Sequence, residues 1–379
     1  MPVYPVFATA AAVALCALLG ASGGPAWAQP VGTPTPAEPP RTVAQAAAEQ
    51  TTTGVSADAA PAPLRVVLLL PLEQPLLKRA ANVVRDGAAA VFASRKGEVS
   101  VSECAYATDA VLAAYERCVD KNTHWVIGPL SRADVAALAA AKPAIVRPTL
   151  MLSPLGTTPP VPMAVLSPDL ESEAEAIAQQ AGEDACRKPL VVEASSAIAA
   201  RVASAYVSGW RERNAIALAR ASLASRERWR RDTDGWRQSG IDCVLFAGGS
   251  ATLQELRPYL RNMAVYITSA SFESALERTL DWTGVRIADS PWVVDPDRAE
   301  FARYAAGTTT DGADGLSPTL ARLYALGVDA ARLVLAAGRD SLPAYFDGAI
   351  GHLKLRDAQY RRTPAVGEFR ERSLVRISP

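Results

Sequence analysis

Short apolar segments that alternate with segments of helical length constrain the fold of this chain more than any other feature. The first, Leu64–Leu70, is apolar apart from Arg65 and is followed by Pro71. Such a run is typical of a strand buried on both faces. Residues 76–94 then space their apolar side chains at helical intervals, and the strand-then-helix pattern recurs along the chain. This alternation predicts parallel sheets with right-handed crossovers.

The alternation occurs in two successive sets, which predicts two α/β lobes. The first set has predicted strands at Val99–Cys104, His124–Ile127 and Pro148–Leu152. The second set begins near Ser167 and resumes the same order, with a predicted strand at Pro189–Glu193. The chain from residue 64 onward is also longer than a single hydrophobic core usually supports, so two cores are expected.

The first 63 residues differ in composition from the rest. An uncharged apolar run, Val6–Gly20, precedes the A-x-A sequence that ends at Ala28, which predicts a signal peptide at residues 1–28. Cys16 follows Leu15, where a lipoprotein signal requires a small residue. The sequence therefore favours export to the periplasm over an outer-membrane lipid anchor. Residues 29–63 are rich in Pro, Ala and Thr and have no aromatic residue, which predicts a disordered linker.

Composition and motifs exclude several classes of function. The 39 basic and 39 acidic side chains balance, so the chain lacks the electrostatic footprint of a nucleic-acid-binding protein. His124 and His352 are the two histidines, and neither has a nucleophile and an acid close in sequence. No dinucleotide-binding, P-loop, zinc-protease or nucleophile-elbow motif occurs. We expect no enzymatic activity, no cofactor, no metal and no nucleic-acid partner.

Four cysteines follow the predicted signal peptide, and an even number in an exported chain indicates disulfides. Cys186 and Cys243 lie before or at the start of two predicted parallel strands of the second lobe, which places both at one end of a sheet. The sequence therefore favours a Cys186–Cys243 disulfide. Cys104 and Cys118 are the remaining pair.

Two charged segments each allow two interpretations. Residues 226–237 (RERWRRDTDGWR) are locally basic and contain two tryptophans, so they could form a partner patch, although a solvated loop is favoured because three acids dilute the charge. Glu171, Glu173 and Glu175 open a predicted helix. They could supply paired carboxylates for catalysis. Acidic residues favour the positive end of the helix dipole, however, so we expect these three to be solvated on the helix.

Five segments together resemble a known family. LRVVLLLPLEQPLLKRAANVVRDGAAA and HWVIGPLSRADVAAL resemble the first and third strands of type I periplasmic binding proteins with the segments that follow them. VYITSASFES…GVRIADSPWVVDP, LARLYALGVDAARL and GHLKL…RRTPAVGEFRERSL are similar to the LppC/LpoA branch of that fold, the penicillin-binding protein activators. The resemblance covers nearly all of residues 64–379.

The resemblance implies a two-lobed α/β fold with three crossovers and a cleft between the lobes. The first lobe would comprise about 64–165 and 292–346, and the second about 166–291 and 347–379. The implied function is non-enzymatic: binding a bifunctional peptidoglycan synthase and stimulating its crosslinking activity in cell-wall assembly. The alternative is a periplasmic solute-binding protein that serves an ABC transporter permease or a sensor.

For solute binding, the fold places ligands between the lobes, at the C-terminal ends of the parallel strands. A small polar ligand is the corresponding prediction. The competing interpretation is that the serines at these ends only cap helices and line an empty groove. Nine polar residues are candidates: Glu73, Gln74, Tyr106, Ser131, Ser153, Glu193, Ser195, Ser250 and Ser269.

Overall fold

The computed structural model describes residues 62–141, 143, 145–212, 217–273, 282–305, 315–371 and 373–377. The predicted signal peptide, Cys16 and the predicted linker up to residue 61 lie outside the described residues. Residues 60–379 form one compact unit. None of the described helices has the length and apolar character needed to cross a membrane.

The first sheet has eight described strands in the order β11-β12-β13-β5-β4-β3-β1-β2. Strands β1 to β5 are parallel, and β13 continues this sheet parallel to β5. The strands are β1 (Leu64–Leu70), β2 (Val99–Ala105), β3 (Trp125–Ile127), β4 (Thr149–Met151), β5 (Met163–Val165), β11 (Tyr345–Asp347), β12 (His352–Arg356) and β13 (Gln359–Thr363).

The second sheet has seven described strands in the order β15-β14-β10-β9-β8-β6-β7. Strands β6 to β10 are parallel, and β14 pairs antiparallel with β10. The strands are β6 (Pro189–Glu193), β7 (Ala219–Ser222), β8 (Cys243–Ala247), β9 (Ala264–Thr268), β10 (Val285–Asp289), β14 (Ala365–Arg370) and β15 (Ser373–Arg376).

Helices cover both sheets, and each sheet has a hydrophobic core on either face. Continuously buried strands such as β8 need this cover, because both of their faces are apolar. The helices are α1 (Lys78–Ala93), α2 (Val111–Cys118), α3 (Arg132–Ala140), α4 (Leu170–Glu183), α5 (Ala197–Arg211), α6 (Trp229–Gln238), α7 (Ser250–Leu256), α8 (Pro291–Val294), α9 (Ala299–Ala302) and α10 (Pro318–Ala337).

The described chain passes from one sheet to the other three times: after β5, after β10 and after β13. This topology confirms the predicted two-lobed α/β fold with three crossovers. The boundary near the C-terminus is different from the prediction, which gave all of 347–379 to the second lobe. Strands β12 and β13 belong to the first sheet, because the Val165 amide donates to the Ala358 carbonyl at 2.9 Å and Leu353 and Tyr360 pack into the first-lobe core.

Two disulfides lie among the described residues: Cys186–Cys243, the pair that the sequence favours, and Cys104–Cys118, the remaining pair. Cys104, near the end of β2, is bonded to Cys118, the last residue of α2, with Cα atoms 6.2 Å apart. Cys186 is bonded to Cys243, with Cα atoms 6.0 Å apart. The register pairs Pro189 with Cys243, so Cys186 lies at the edge of the sheet where β6 and β8 begin.

Residues 226–237 are helical, so the expectation of a solvated loop is wrong. A short 3-10 turn at Arg226–Arg228 leads directly into α6. Trp229 causes the difference: its side chain is buried and packs edge-on against Tyr259 with ring centroids 6.2 Å apart. Burial of an indole ties the segment to the second-lobe core.

Candidate functional site

Three of the predicted ligand residues converge on one carboxylate at the C-terminal edge of the first sheet. Asp134 Oδ2 accepts hydrogen bonds from the Ser131 hydroxyl at 2.6 Å and from the Tyr106 hydroxyl at 3.1 Å. The Gln74 side-chain amide makes a longer contact of 3.5 Å to the same oxygen. Gln74, Tyr106 and Asp134 are all buried. We call this set the Asp134 cluster.

The local sequence builds the Asp134 cluster. Ser131 caps α3 as predicted, since its Oγ accepts from the Asp134 amide at 3.0 Å. That cap places Asp134 in the first turn of the helix, where a carboxylate is favoured by the helix dipole. Burial raises the pKa of the Tyr106 hydroxyl, and the neighbouring Asp134 raises it further. The Tyr106 hydroxyl therefore keeps its proton and donates a hydrogen bond to Asp134.

The chemical consequence is that the Ser131 and Tyr106 hydroxyls and the Gln74 amide already donate to a side chain of the protein. The Asp134 carboxylate accepts the hydrogen bonds that these groups could otherwise donate to an acidic ligand. Displacing Asp134 would leave a buried carboxylate without its partners, which is costly. The Asp134 cluster is thus internally satisfied.

The other two first-lobe candidates lie outside the Asp134 cluster. Glu73 is exposed, and its backbone amide contacts the Tyr106 carbonyl at 3.3 Å. The Ser153 hydroxyl donates to the Leu130 carbonyl. Of the five candidates in this lobe, the structure therefore brings three together.

The second-lobe candidates do not gather around one point. Glu193 forms an ion pair with Arg220 at 2.6 Å, and Ser195 is exposed. Ser250 is the first residue of α7 and Gly249 is the cap residue, so the helix-capping interpretation does not hold for Ser250. Ser269 is buried, and its backbone amide donates to Glu173 Oε2 at 2.8 Å.

A buried charge network at the crossovers was not predicted. Glu173 pairs with Arg362, and each side chain is 1% exposed. Arg322 pairs with the fully buried Asp289, with Nη2 2.6 Å from Oδ2 and Nε 2.9 Å from Oδ1. Burial raises the pKa of Glu173, while the Arg362 guanidinium opposes that rise. We call these four residues the crossover charge network.

The crossover charge network joins the two lobes. Arg362 is the next-to-last residue of β13 in the first lobe, whereas Glu173 lies in α4 of the second. Arg322 lies in α10 of the first lobe and also donates to the Phe272 carbonyl of the second at 2.7 Å. The expectation that Glu173 is solvated is wrong. A signal existed in the sequence, because helical spacing puts Glu173 on the same face as Ile177 and Ala181, which are both buried.

One group of potential metal-ligating atoms lies among the described residues, at Cys186, Asp242 and Cys243. The two sulfurs form a disulfide and are not thiolates, which are the form that binds metal. Asp242 accepts hydrogen bonds from the amides of Arg187 and Lys188 at 3.0 and 2.9 Å. This arrangement anchors the start of β6 and fits a structural role.

The two histidines have local partners. His124 Nδ1 accepts from the Arg65 amide at 2.9 Å, and burial lowers the pKa of this imidazole, with nearby arginines lowering it further. His124 is thus a neutral acceptor that joins the starts of β1 and β3. His352 Nδ1 lies 3.0 Å from Asp347 in an exposed hairpin. Neither is placed beside a serine or cysteine nucleophile in these contacts.

The two mostly parallel sheets and the three crossovers between them define this chain as a protein with the type I periplasmic-binding-protein fold. Solved structures agree. A protein of Chromobacterium violaceum described as a putative branched-chain amino acid ABC transporter superposes with a TM-score of 0.68 at 28% identity, over 81% of this chain and 100% of that one. The C-domain of LpoA from Haemophilus influenzae, described as a regulator of PBP1A, gives 0.65 at 20% identity, over 83% and 100%.

The particular family follows from the sequence match. The family model described as "LppC putative lipoprotein" matches residues 58–221 and 217–359, and the chain belongs to this family. Full-length LpoA from Haemophilus influenzae is longer: the superposition covers 83% of this chain but 59% of that one, with a TM-score of 0.65 at 19% identity. A comparison with curated protein sequences gives no match.

Proposed function

We propose that this protein is an exported, non-enzymatic activator of a bifunctional peptidoglycan synthase, acting in the periplasm. The observation that carries the proposal is the family match, which extends over both lobes. The likeness to the LpoA C-domain, a regulator of PBP1A, supports it at the level of the fold. An activator of this kind works by binding its partner and needs no small ligand.

The Asp134 cluster supports the same proposal. A solute binder of this fold needs free donors at the cleft edge, and here the Ser131 and Tyr106 hydroxyls are both bonded to a side chain of the protein itself. The crossover charge network adds a second argument. Its buried ion pairs tie the lobes together, and changing the angle between the lobes would expose or separate buried charges.

A reconstitution assay tests the proposal. The mature protein is added to the bifunctional synthase of the same bacterium with its lipid-linked substrate, and the crosslinked fraction of the product is measured. We expect that fraction to rise with protein concentration and to saturate. The control is an amino-acid-binding protein of the same fold at equal concentration. An unchanged crosslinked fraction, together with no binding of the synthase, would overturn the proposal.

The second candidate function is solute binding, favoured by the 28% identity to the described branched-chain amino acid transporter protein. A ligand that binds only the folded state raises the melting temperature by mass action. We expect branched-chain amino acids to leave the melting temperature unchanged, because the Asp134 cluster is satisfied. The amino acids are added at about 100 times the micromolar Kd that a solute-binding protein would have. A concentration-dependent rise that Ser131→Ala abolishes would favour the solute binder instead.

A further inference from the structure

A pocket of about 600 Å3 lies on the first lobe, between the C-terminal parts of α1 and α10, the β11 strand and the turn after α9. None of the nine cleft candidates lines it. The end of α1 lies where the strands of the first sheet begin, since the Leu64 amide donates to the Glu98 carbonyl at 2.8 Å. The pocket is therefore at the edge of the sheet opposite to the Asp134 cluster.

Three arginines and two aromatic rings dominate the wall of this pocket, which we call the arginine pocket: Arg95, Arg303, Arg332, Tyr304 and Phe346. The Arg332 guanidinium lies 4.8 Å from the centre of the Phe346 ring, and the Arg303 guanidinium lies 5.3 Å from that of Tyr304. Stacking on an aromatic face limits the motion of a guanidinium. Arg332 also donates to the Asp347 carbonyl at 3.2 Å and Arg303 to the Glu300 carbonyl at 3.4 Å, so these two guanidinium groups are held in place before any partner binds.

Among the described residues, acidic side chains pair with two of the pocket arginines. Arg95 lies 3.3 Å from Glu98, and both side chains are more than half exposed, so this pair is weak. Arg332 lies 3.1 Å from Asp329, whose carboxylate is fully buried and also accepts from the amides of Ala349 and Ile350. The nearby Glu300 and Asp347 carboxylates both pair with Arg298, which does not line the pocket. The lining itself contains three arginines and no acidic residue, so it presents positive charge.

The remaining lining is apolar apart from Ser94, whose hydroxyl donates to the Val91 carbonyl at 2.7 Å. Val91, Leu335 and Ala336 contribute to it beside the two aromatic rings. A group that fits must therefore carry negative charge and apolar surface together. The volume lies within the range of roughly 300 to 1,000 Å3 that is typical of sites for small ligands and anchoring side chains.

We infer that the arginine pocket is the docking point for a segment of the partner synthase that presents a carboxylate beside an apolar or aromatic side chain. This inference rests on the proposed function. Buried aromatic and arginine anchors in a concave site are the usual centres of binding energy in protein interfaces. An acidic lipid surface fits less well, because the chain as a whole has a formal net charge of zero and a concave pocket cannot lie flat on a membrane.

A charge-reversal experiment tests the docking site. The variant Arg95→Glu/Arg303→Glu changes two pocket arginines and leaves Arg332, which supports the buried Asp329, in place. The matched control is Arg226→Glu/Arg261→Glu on the second lobe, where Arg226 pairs with the exposed Glu255 at 3.3 Å, much as Arg95 pairs with Glu98. Binding of the full mature protein to the purified synthase is measured for each. We expect the pocket variant to raise Kd at least about tenfold and the control to leave it within about twofold.

A second variant tests the same pocket without a change of charge, so the test of the docking site does not depend on whether the first variant folds. Ala336→Trp places an indole in the pocket from an exposed position on α10, without changing the charge. Melting temperatures and circular dichroism establish that each variant is folded. We expect Ala336→Trp to weaken binding as well, since it fills the space that the partner needs.

The outcomes separate the two proposals. If the unmodified protein does not bind the synthase, the proposed function fails and the docking site fails with it. If it binds, and folded pocket variants bind equally well, the docking site is wrong while the proposed function stands. Loss of binding only in the Arg226→Glu/Arg261→Glu control would also overturn the docking site. The same holds if the pocket variants lose binding to phosphatidylglycerol vesicles but still bind the synthase.

Discussion

The ion pair between Glu173 and Arg362 is buried, with each side chain 1% exposed. Removing one member of such a pair leaves an uncompensated charge in the interior. We predict that Glu173→Gln or Arg362→Met lowers the free energy of unfolding by about 3 to 5 kcal/mol. The double variant should lose at least about 1 kcal/mol less than the sum of the two single losses. Urea unfolding at neutral pH measures all three.

The matched control for this pair lies on the same helix. Glu171 pairs with Arg201 at the surface, where the two side chains are 36% and 43% exposed. Exposed pairs contribute little, so Glu171→Gln should change the free energy of unfolding by less than about 1 kcal/mol. Equal losses in Glu171→Gln and Glu173→Gln would contradict the assignment of Glu173 to a buried network.

Asp329 gives the protein a measurable pH dependence. Burial raises the pKa of this carboxyl from its ordinary 3.8 to about 6, although Arg332 and the Ala349 and Ile350 amides oppose the rise. An acid with a raised folded-state pKa stabilises the fold below its unfolded pKa and loses that contribution as pH rises through the folded pKa. We therefore compare the free energy of unfolding of the unmodified protein with that of Asp329→Asn. We predict that the first value minus the second falls by a few kcal/mol as pH rises from about 4 to about 6.

Unfolding in urea at several pH values measures this difference. Asp120→Asn is an opposite control, because the Asp120 carboxyl is exposed and its pKa is lowered, chiefly by the Thr123 hydroxyl. Its contribution should disappear as pH falls below about 4. A stability difference for Asp329→Asn that does not change between pH 4 and pH 7 would show that burial does not control this carboxyl.

Helices α1 and α10 approach each other closely at two glycines, Gly87 and Gly327. A Cβ added at Gly327 would overlap the Val84 carbonyl, and one at Gly87 would overlap the Tyr324 carbonyl. Rigid backbone cannot yield to the added atom, so we predict that Gly327→Ala lowers the free energy of unfolding by about 1 to 3 kcal/mol. Gly235→Ala is the control.

Gly235 also lies within a helix, α6, but nothing is within 4 Å of an added Cβ there. Alanine is the better helix former by about 1 kcal/mol, so Gly235→Ala should stabilise the protein by up to that amount. Chemical denaturation of both variants tests the contrast. If both substitutions shift stability in the same direction, close packing of α1 against α10 does not explain the glycine at 327.

The disulfides link neighbouring elements, and their separations in sequence set the expected effect. Cys104 and Cys118 are 14 residues apart, whereas Cys186 and Cys243 are 57 apart. In the chain-entropy model, crosslinks of these lengths stabilise by about 3 and about 4 kcal/mol. We predict that Cys186→Ser/Cys243→Ser loses at least as much stability as Cys104→Ser/Cys118→Ser. Peptide mapping without reductant should recover the two pairs as stated.

The parts that the sequence predicts well are those with strong local patterns. The β1 run is apolar because it is buried on both faces, and Ser131 caps α3 because a serine before a helix satisfies an orphan amide. The sheet that receives β12 and β13 could not be predicted, since a short alternating hairpin carries no information about its neighbour. The pairing of Arg362 with Glu173 is also hidden, because it joins residues 189 positions apart.

For the whole molecule, the crossover charge network couples the two lobes during unfolding. Arg322 and Arg362 belong to the first lobe, and their carboxylate partners Asp289 and Glu173 belong to the second. If one lobe unfolded alone, the other would keep buried charges without partners. The free-energy cost of that state is expected to make it rare. Residues 60–379 should therefore unfold as one unit despite having two sheets.

Hydrogen exchange measured by mass spectrometry tests this coupling. We predict that amides of β1 in the first lobe and of β8 in the second exchange with the same free energy of opening in the unmodified protein. In the variant Arg322→Met/Arg362→Met the two values should differ by at least about 1 kcal/mol, because the lobes can then open separately. Arg201→Met, which breaks only the surface pair with Glu171, should leave them equal. Unequal values in the unmodified protein would mean that the crossovers connect the lobes without coupling their stability.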